Sequence, residues 1–167
     1  VIMQNEIPKH QLIQTSILPC KIAKLDFSAG HEVDDAHRHN GYQIFLFTKG
    51  GGDHMIDFNY YPIEDNCIQF ITEDQIHSLN SIDGTEGYVI VFTKEVVVLN
   101  SGDKFLFNDL PFFNKSRPPV LNPTKEEFAE LEAMISIMRS EYSKESSYKE
   151  NILGSYISIF LLKFKRI

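Results

Sequence analysis

Residues 20–92 alternate between short runs of β-forming side chains and turn signals, and this alternation constrains the fold more than any other sequence feature. Three successive glycines at residues 50–52 permit a tight reversal with positive φ after a dense apolar run. Residues 59–62, which end in proline, are interpreted as another turn. Strands are predicted over residues 21–27, 42–48, 54–58, 66–71 and 86–92. Short strands at this spacing indicate a β-sandwich or barrel.

The last third of the chain changes to a helical pattern after prolines at positions 118, 119 and 123. Thr124 and Glu127 form a predicted capping box, in which the threonine hydroxyl accepts from the Glu127 amide and the carboxylate reaches back. A second predicted box, from Ser147 to Glu150, starts another helix that runs to the end of the chain. The first helix has one apolar face, made of Phe128, Leu131, Met134, Ile135, Met138 and Tyr142.

The second helix carries more apolar surface than packing on one neighbouring helix requires. Its main stripe comprises Ile152, Leu153, Tyr156, Ile157, Phe160, Leu161 and Phe164. In one interpretation this helix is buried on two sides within its own domain; in the other, one side meets a partner chain. Burial of a large apolar side chain contributes about 1.5–3 kcal/mol, which favours a partner over exposure to water. We predict a homodimer formed through Ile152, Ile159 and Leu162, which lie away from the centre of the packing stripe.

These patterns divide the chain into a barrel and a helical part. We predict the barrel over residues 1–110, and a linker with an antiparallel pair of dimerisation helices over residues 111–167. Val1 is not an initiator methionine, so we expect the chain to be a piece of a longer protein.

Composition narrows the functional classes. Hydrophobic residues make up 43% and charged residues 23% of the 167 positions, and no run reaches the roughly 20 apolar residues of a membrane span. The cysteines, Cys20 and Cys67, are too few for a disulfide framework, which favours small core residues in a reduced, cytoplasmic protein. The net charge of −7 argues against direct binding of nucleic acid, because phosphate recognition needs a basic face.

The candidate site is a set of histidines and one amide. His37 and His39 are two residues apart on an extended segment, so their side chains point the same way, and Gln43 can share that side. Phe45 then lines the same strand face as Gln43, with Tyr42, Ile44 and Leu46 on the other. His77 follows a later strand after a short turn. We predict that three imidazoles and an amide converge inside the barrel.

This pattern resembles the cupin motifs. Gly30, His37-x-His39, Gln43 and Gly50 are spaced as in the first cupin motif, whose last ligand position is normally glutamate. Residues 71–81, with His77, resemble the second motif. Thr72 and Asp74 stand there in place of the usual proline and glycine.

The segment HRHNGYQIFLFTKGGGDHMIDFNYYPIEDNCIQFITEDQIHSL more narrowly resembles the N-terminal sensor domain of AraC-type transcription regulators. The resemblance covers about residues 20–166. It implies a cupin-like jelly-roll barrel that binds an effector, a helix pair that dimerises, and a separate C-terminal helix-turn-helix domain that binds DNA. The chain is therefore expected to be a non-enzymatic sensor and dimerisation domain whose only route to DNA is that missing domain.

Three interpretations of the site remain open. A small organic effector would contact His37, His39, Gln43 and His77, with Phe45 and Tyr88 as apolar or stacking walls. The histidines would otherwise hold a transition metal, or make only hydrogen bonds within the core. We expect no metal and no cofactor, because Gln43 replaces a charged ligand. His54 is interpreted as an ordinary surface or hydrogen-bonded histidine.

The alternative function is a small cupin metalloenzyme, of the isomerase or dioxygenase type. It would use His37, His39 and His77 as a facial triad. A purely structural dimer module with a collapsed barrel also fits the sequence.

Overall fold

The computed structural model describes residues 7–10, 20–25, 35–101, 109–113 and 117–167. Within these ranges the chain forms short strands followed by helices, with one strand, β10, between the first helix and the second. The strands are β1 (Lys9–His10), β2 (Cys20–Leu25), β3 (Arg38–His39), β4 (Tyr42–Lys49), β5 (Gly52–Ile56), β6 (Asn59–Pro62), β7 (Cys67–Ile71), β8 (His77–Ser81), β9 (Glu86–Phe92) and β10 (Val120–Leu121). The helices are α1 (Lys94–Ser101), α2 (Lys125–Tyr142) and α3 (Lys149–Phe164).

Two antiparallel sheets form the body of the protein. One has the strand order β10–β7–β4–β9–β2 and the other has the order β6–β5–β8, while β1 and β3 form a short parallel pair. The glycine turn after β4 carries the chain from the first sheet to the second. Gly52 has φ +84°, and a Cβ there would lie 1.9 Å from the Asn80 carbonyl oxygen, so the position requires glycine. The predicted fold class, a cupin-like jelly roll followed by a helix pair, is confirmed.

The central strands β4 and β7 of the five-stranded sheet are buried on both faces. Ile44 and Leu46 of β4 belong to a large core cluster shared with the helices. Phe45 and Phe47 belong to a second cluster inside the barrel. This alternation confirms the predicted assignment of β4 side chains to opposite faces. It also explains why the sequence of β4 is almost continuously apolar, since neither face meets water.

The connection between β5 and β6 differs from the prediction. Residues 59–62 form a strand rather than a turn. The reversal lies earlier, at Asp57 and Phe58, which both have positive φ values of 46° and 63°. Positive φ at both central residues is typical of a two-residue hairpin turn. The sequence has no glycine at these positions to reveal the turn.

Four elements, β1, β8, α1 and β10, were not predicted at all. β8 has a single apolar residue, Leu79, among its five positions, and α1 is a helix of only eight residues. The first predicted strand is observed from Cys20 to Leu25; Asp26 and Phe27 lie outside the described residues, as does Gly30.

The helix starts confirm one capping prediction and correct the other. α2 begins with the predicted capping box: the Thr124 hydroxyl accepts from the Glu127 amide, and the Glu127 carboxylate accepts from the Thr124 amide. Its predicted apolar face is buried or partly buried against the sheet. The box predicted at Ser147 is wrong. α3 begins after Tyr148, whose backbone is left-handed at φ 64°, and no side-chain hydrogen bond caps the helix.

α3 packs against both α1 and α2, so part of its apolar surface is buried within its own chain. Ion pairing of Lys163 near the end of α3 with Glu130 near the start of α2 shows that these two helices are antiparallel. Ile152, Ile159 and Leu162 remain 37%, 47% and 46% exposed.

The division between barrel and helices stays a prediction. β10 lies within the stretch expected to be linker, yet it pairs with β7 and extends the five-stranded sheet. No helix in the described part of the chain is long and apolar enough to cross a membrane.

The two helix starts provide a matched test. Thr124→Ala should lower the free energy of unfolding by about 1 kcal/mol, because it removes a side-chain cap. Ser147→Ala should change it by less than about 0.5 kcal/mol, because Ser147 caps nothing. Urea denaturation followed by circular dichroism measures both. Equal losses in the two variants would contradict this description of the helix starts.

Candidate functional site

The pairing of His37 with His77 builds the centre of the site. The His37 amide donates to the His77 carbonyl at 3.0 Å, and the His77 amide donates to the His37 carbonyl at 2.9 Å. This antiparallel bridge places the two residues directly opposite each other. Their ring centroids are 4.5 Å apart, so the backbone itself brings the two imidazoles together.

His39 completes a buried group of three histidines. It lies on β3 two residues after His37, and its ring centroid is 4.5 Å from that of His37 and 5.1 Å from that of His77. All three side chains are buried, and one ring nitrogen from each lies within 4.8 Å of the others. The three histidine side chains therefore lie together inside the barrel, as predicted.

The turn before His77 is held by its own hydrogen bonds. Asp74 has φ 61°, in the left-handed region, which accounts for the glycine that the second cupin motif normally has here. The Asp74 amide donates to the His39 carbonyl at 2.9 Å. The Gln75 side chain accepts from the Thr72 amide at 2.9 Å and donates to Asp57 at 2.8 Å. These contacts tie the turn to β3 and to the β5–β6 hairpin.

Gln43 and Phe45 extend the site along β4. The Gln43 Nε2 atom lies 3.3 Å from the His77 Nε2 atom, so the amide reaches the histidine group as predicted from the sequence. The ring centroid of Phe45 is 6.3 Å from that of His77 and 5.1 Å from that of His54. Phe45 therefore forms an apolar wall beside the imidazoles.

His54 and Gln69 join the site, although the sequence analysis did not place them there. His54 is 0% exposed; its Nε2 atom lies 3.0 Å from His77 Nδ1, and its Nδ1 atom lies 2.9 Å from Gln69 Oε1. Gln69 Nε2 donates to the Pro62 carbonyl at 3.0 Å. The feature of the sequence that could have revealed Gln69 is its position as a polar residue in the middle of the apolar strand β7, where it lies opposite Phe45.

Tyr88 does not belong to this group, and its prediction as a wall of the same pocket is wrong. It pairs with Leu46 across the sheet and packs against the core cluster on the helical side. The Arg139 guanidinium of α2 lies 5.3 Å from its ring centroid. Its neighbour Val89, opposite Phe45, faces the barrel interior instead. Successive side chains of a strand point to opposite faces of the sheet, so a prediction that is wrong by one residue, Tyr88 instead of Val89, selects the wrong face.

Burial keeps the inner histidines uncharged at neutral pH. Desolvation, together with nearby His37, lowers the pKa of His54 to about 4, although the hydrogen bond to Gln69 opposes this shift. Desolvation and the neighbouring imidazoles hold the pKa of His77 far below its ordinary value. At His54 and His77 the site therefore offers neutral nitrogen atoms rather than positive charge.

This electrostatic state predicts acid lability. Between pH 6.5, the ordinary value, and about 4, the unfolded chain binds a proton at His54 that the folded chain excludes. Stability should therefore fall as pH is lowered through this window. Urea midpoints of chelator-treated protein across the window measure the slope. His54→Gln, which removes one of the two titrating groups, should make the slope shallower, with the remainder due to His77, whose pKa is also lowered; an unchanged slope in that variant would contradict the assignment.

Comparison with known proteins identifies the family of the chain. The profile of the AraC-like ligand binding domain matches residues 27–154. A search of curated proteins found no significant match.

Several solved structures are similar at low sequence identity. Vibrio cholerae ToxT with bound unsaturated fatty acid is 17% identical with a TM-score of 0.47, over 88% of this chain and 54% of ToxT. The AraC-like transcriptional activator CuxR is 9% identical with a TM-score of 0.45, over 86% of this chain and 49% of CuxR. A cupin protein from Bacteroides fragilis is 21% identical with a TM-score of 0.35, over 45% of this chain and 64% of that protein.

This chain spans about half the length of the two regulators. The profile match extends over more than half of the sequence and includes His37, His39 and His77. The chain belongs to the family of AraC-like ligand-binding domains.

Proposed function

We propose that this chain is the effector-sensing and dimerisation domain of an AraC-family transcription regulator, and that its effector is a small organic molecule bound in the barrel. The observation that carries the proposal is the group of three buried imidazoles and one amide inside the barrel of a domain of this family. A few polar groups on an apolar lining are what small-molecule sites use to fix a ligand.

The residues divide into polar contacts and an apolar wall. We assign polar recognition of the effector to His37, His39, Gln43 and His77. Phe45 supplies the apolar surface beside them. No catalytic role is assigned to any of these residues, because the family is one of ligand binding.

The sheet connects the site to the helices. Gln69 of β7 points into the barrel, while the adjacent Phe70 points to the opposite face and contacts Phe164 of α3, with ring centroids 5.1 Å apart. An effector that binds two arrangements of the barrel differently would shift their populations. Through β7 such a shift reaches α3, which supports a sensor rather than a purely structural module.

The rest of the regulator's activity follows from this assignment. We place DNA binding in a helix-turn-helix domain of the full-length regulator, and the regulator in the cytoplasm. The net charge of −7 agrees with a domain that does not itself contact phosphates.

A ligand screen tests the proposed effector site. In a thermal-shift screen of small organic compounds, a binding compound should raise the Tm of the wild-type protein, by an amount that grows with the logarithm of its concentration over Kd. Gln43→Leu should reduce that shift by removing a polar contact. The matched control is Tyr88→Phe, on the helical face of the sheet, which should leave the shift unchanged. Equal loss in both variants would contradict the proposed site.

The proposed dimer uses the exposed face of α3. Ile152, Ile159 and Leu162 expose apolar surface that a two-fold partner would cover. Ile159→Glu places a charge there that would face its own copy, so the protein should shift from dimer to monomer. Multi-angle light scattering measures the mass, and circular dichroism shows that the fold is retained.

The matched control for the dimer is Ile82→Glu, which makes the same substitution at an exposed isoleucine in the turn between β8 and β9. It should leave the dimer intact. An unchanged oligomeric state in Ile159→Glu would remove this face from the interface, and a wild-type monomer at high concentration would refute the dimer.

A further inference from the structure

We propose that a second small-molecule site lies outside the barrel, and that its ligand carries a carboxylate or a phosphate on an apolar body. The site is a cavity of about 440 Å³ between the segment before β10 and the end of α3, which we call the outer cavity. Binding sites for small molecules commonly measure roughly 300–1,000 Å³. The lining of the outer cavity includes Phe112, Arg117, Leu121, Phe164 and Arg166. This site is additional to the effector site of the proposed function.

A sheet separates the outer cavity from the histidine group. The ring centroid of Phe70 in β7 lies 4.5 Å from that of Phe112 and 5.1 Å from that of Phe164. The adjacent Gln69 side chain points the other way and reaches His54 inside the barrel. Because successive residues of a strand face opposite sides of a sheet, a ligand in the outer cavity would not touch the imidazoles.

The inner wall of the outer cavity is apolar. The side chains of Phe112 and Phe164 are buried, and Leu121 of β10, which also lines the cavity, is half-buried. These side chains offer no hydrogen-bond donor or acceptor, so they can accommodate only the hydrocarbon part of a ligand. Covering them removes apolar surface from water, which favours binding.

Two arginines give the outer cavity its positive charge. Arg117 and Arg166 are both exposed, and both line the cavity. Within the part of the chain that the structure describes, neither guanidinium forms an ion pair. Lys165 differs, because this third cation of the lining pairs with Asp109 at 2.9 Å. The positive charge that is available to a ligand therefore belongs to the two arginines.

The backbone around Arg117 is held in place. Pro118 follows it, and a residue before proline favours extended backbone over helix. The next carbonyl but one, that of Pro119, accepts from the Phe70 amide at 2.9 Å, which fastens this segment to β7. The opposite wall is helical, since Phe164 is the last residue of α3. Both walls are thus ordered before a ligand arrives, which lowers the entropic cost of binding.

The guanidinium groups determine the polar part of the ligand. A guanidinium has five N–H donors and no acceptor, and its planar shape matches two oxygens of a carboxylate or a phosphate. The chain as a whole has a net charge of −7, so it does not attract anions in general. Two unpaired cations beside an apolar wall therefore favour an anion with an apolar body over neutral or cationic compounds.

Three biphenyl compounds test this class of ligand. Biphenyl-4-carboxylate and biphenyl-4-yl phosphate are charged, whereas biphenyl-4-carboxamide has the same apolar body without a charge. In ¹H–¹⁵N correlation spectra, both charged probes should bind with a submillimolar Kd and shift mainly residues 109–113, 117–121 and 164–167. The carboxamide should bind at least threefold more weakly. The tighter of the two charged probes identifies the preferred anionic group.

Substitution of the arginines tests their role. Arg117→Gln and Arg166→Gln should each weaken the charged probes roughly 3- to 10-fold, a modest factor because ion pairs exposed to water are weak. Neither variant should change the affinity for the carboxamide. Both side chains are exposed, so circular dichroism should show an unaltered fold. The matched control is Lys125→Gln, which removes the same charge at an exposed position outside the cavity and should change no affinity.

Gln43→Leu separates the outer cavity from the effector site in the barrel. This variant should leave the affinity for both charged probes unchanged. Weaker binding in Gln43→Leu, or spectral shifts centred on His37, His39 and His77, would place the probes in the barrel and overturn the outer cavity. Equal affinity for all three probes, equal losses in Lys125→Gln and the arginine variants, or the absence of binding below millimolar concentration would also overturn it. The proposed effector site would stand in each case, because the thermal-shift screen tests it separately.

Discussion

Burial of the central strands of the five-stranded sheet on both faces is the constraint on which the rest of the structure depends. One face is covered by the helices, and the other forms the wall of the barrel interior. Because adjacent side chains of a strand point to opposite faces, each strand of this sheet serves two environments at once. In β7, the Gln69 side chain forms a hydrogen bond with His54 inside the barrel. The adjacent Phe70 points the other way and packs against the rings of Phe112 and Phe164.

The polar side chains inside the barrel are tolerated because they satisfy one another. A buried imidazole or amide without a partner costs about 1–3 kcal/mol, so a half-satisfied network would destabilise the fold. Here the hydrogen bonds run without a break from the Pro62 carbonyl through Gln69, His54 and His77 to Gln43. This series of hydrogen bonds connects the two sheets, since Gln69 and Gln43 belong to one sheet and His54 and His77 to the other. It therefore holds the sheets in register at the site.

Within the described residues, the site and the helices are connected through the five-stranded sheet. β10, which follows α1 in the sequence, returns to pair with β7 before α2 begins. Lys165 near the end of α3 pairs with Asp109, and Phe164 lies against Phe70. A rearrangement in the barrel that displaces β7 would therefore also displace the side chains of α3 that pack against it. This geometry gives a physical route from the barrel interior to the helices.

The sequence by itself determined the fold class, the five strands β2, β4, β5, β7 and β9, the start of α2 and the convergence of His37, His39, Gln43 and His77, because these depend on period, spacing and local hydrogen bonds. Only the tertiary structure decided the positive-φ turn at Asp57 and Phe58, the left-handed start of α3 and the helical side for Tyr88. It also decided that His54 and Gln69 join the site. Their roles depend on contacts between residues 15 and 23 positions apart, across two sheets, and no local pattern encodes which strands come face to face.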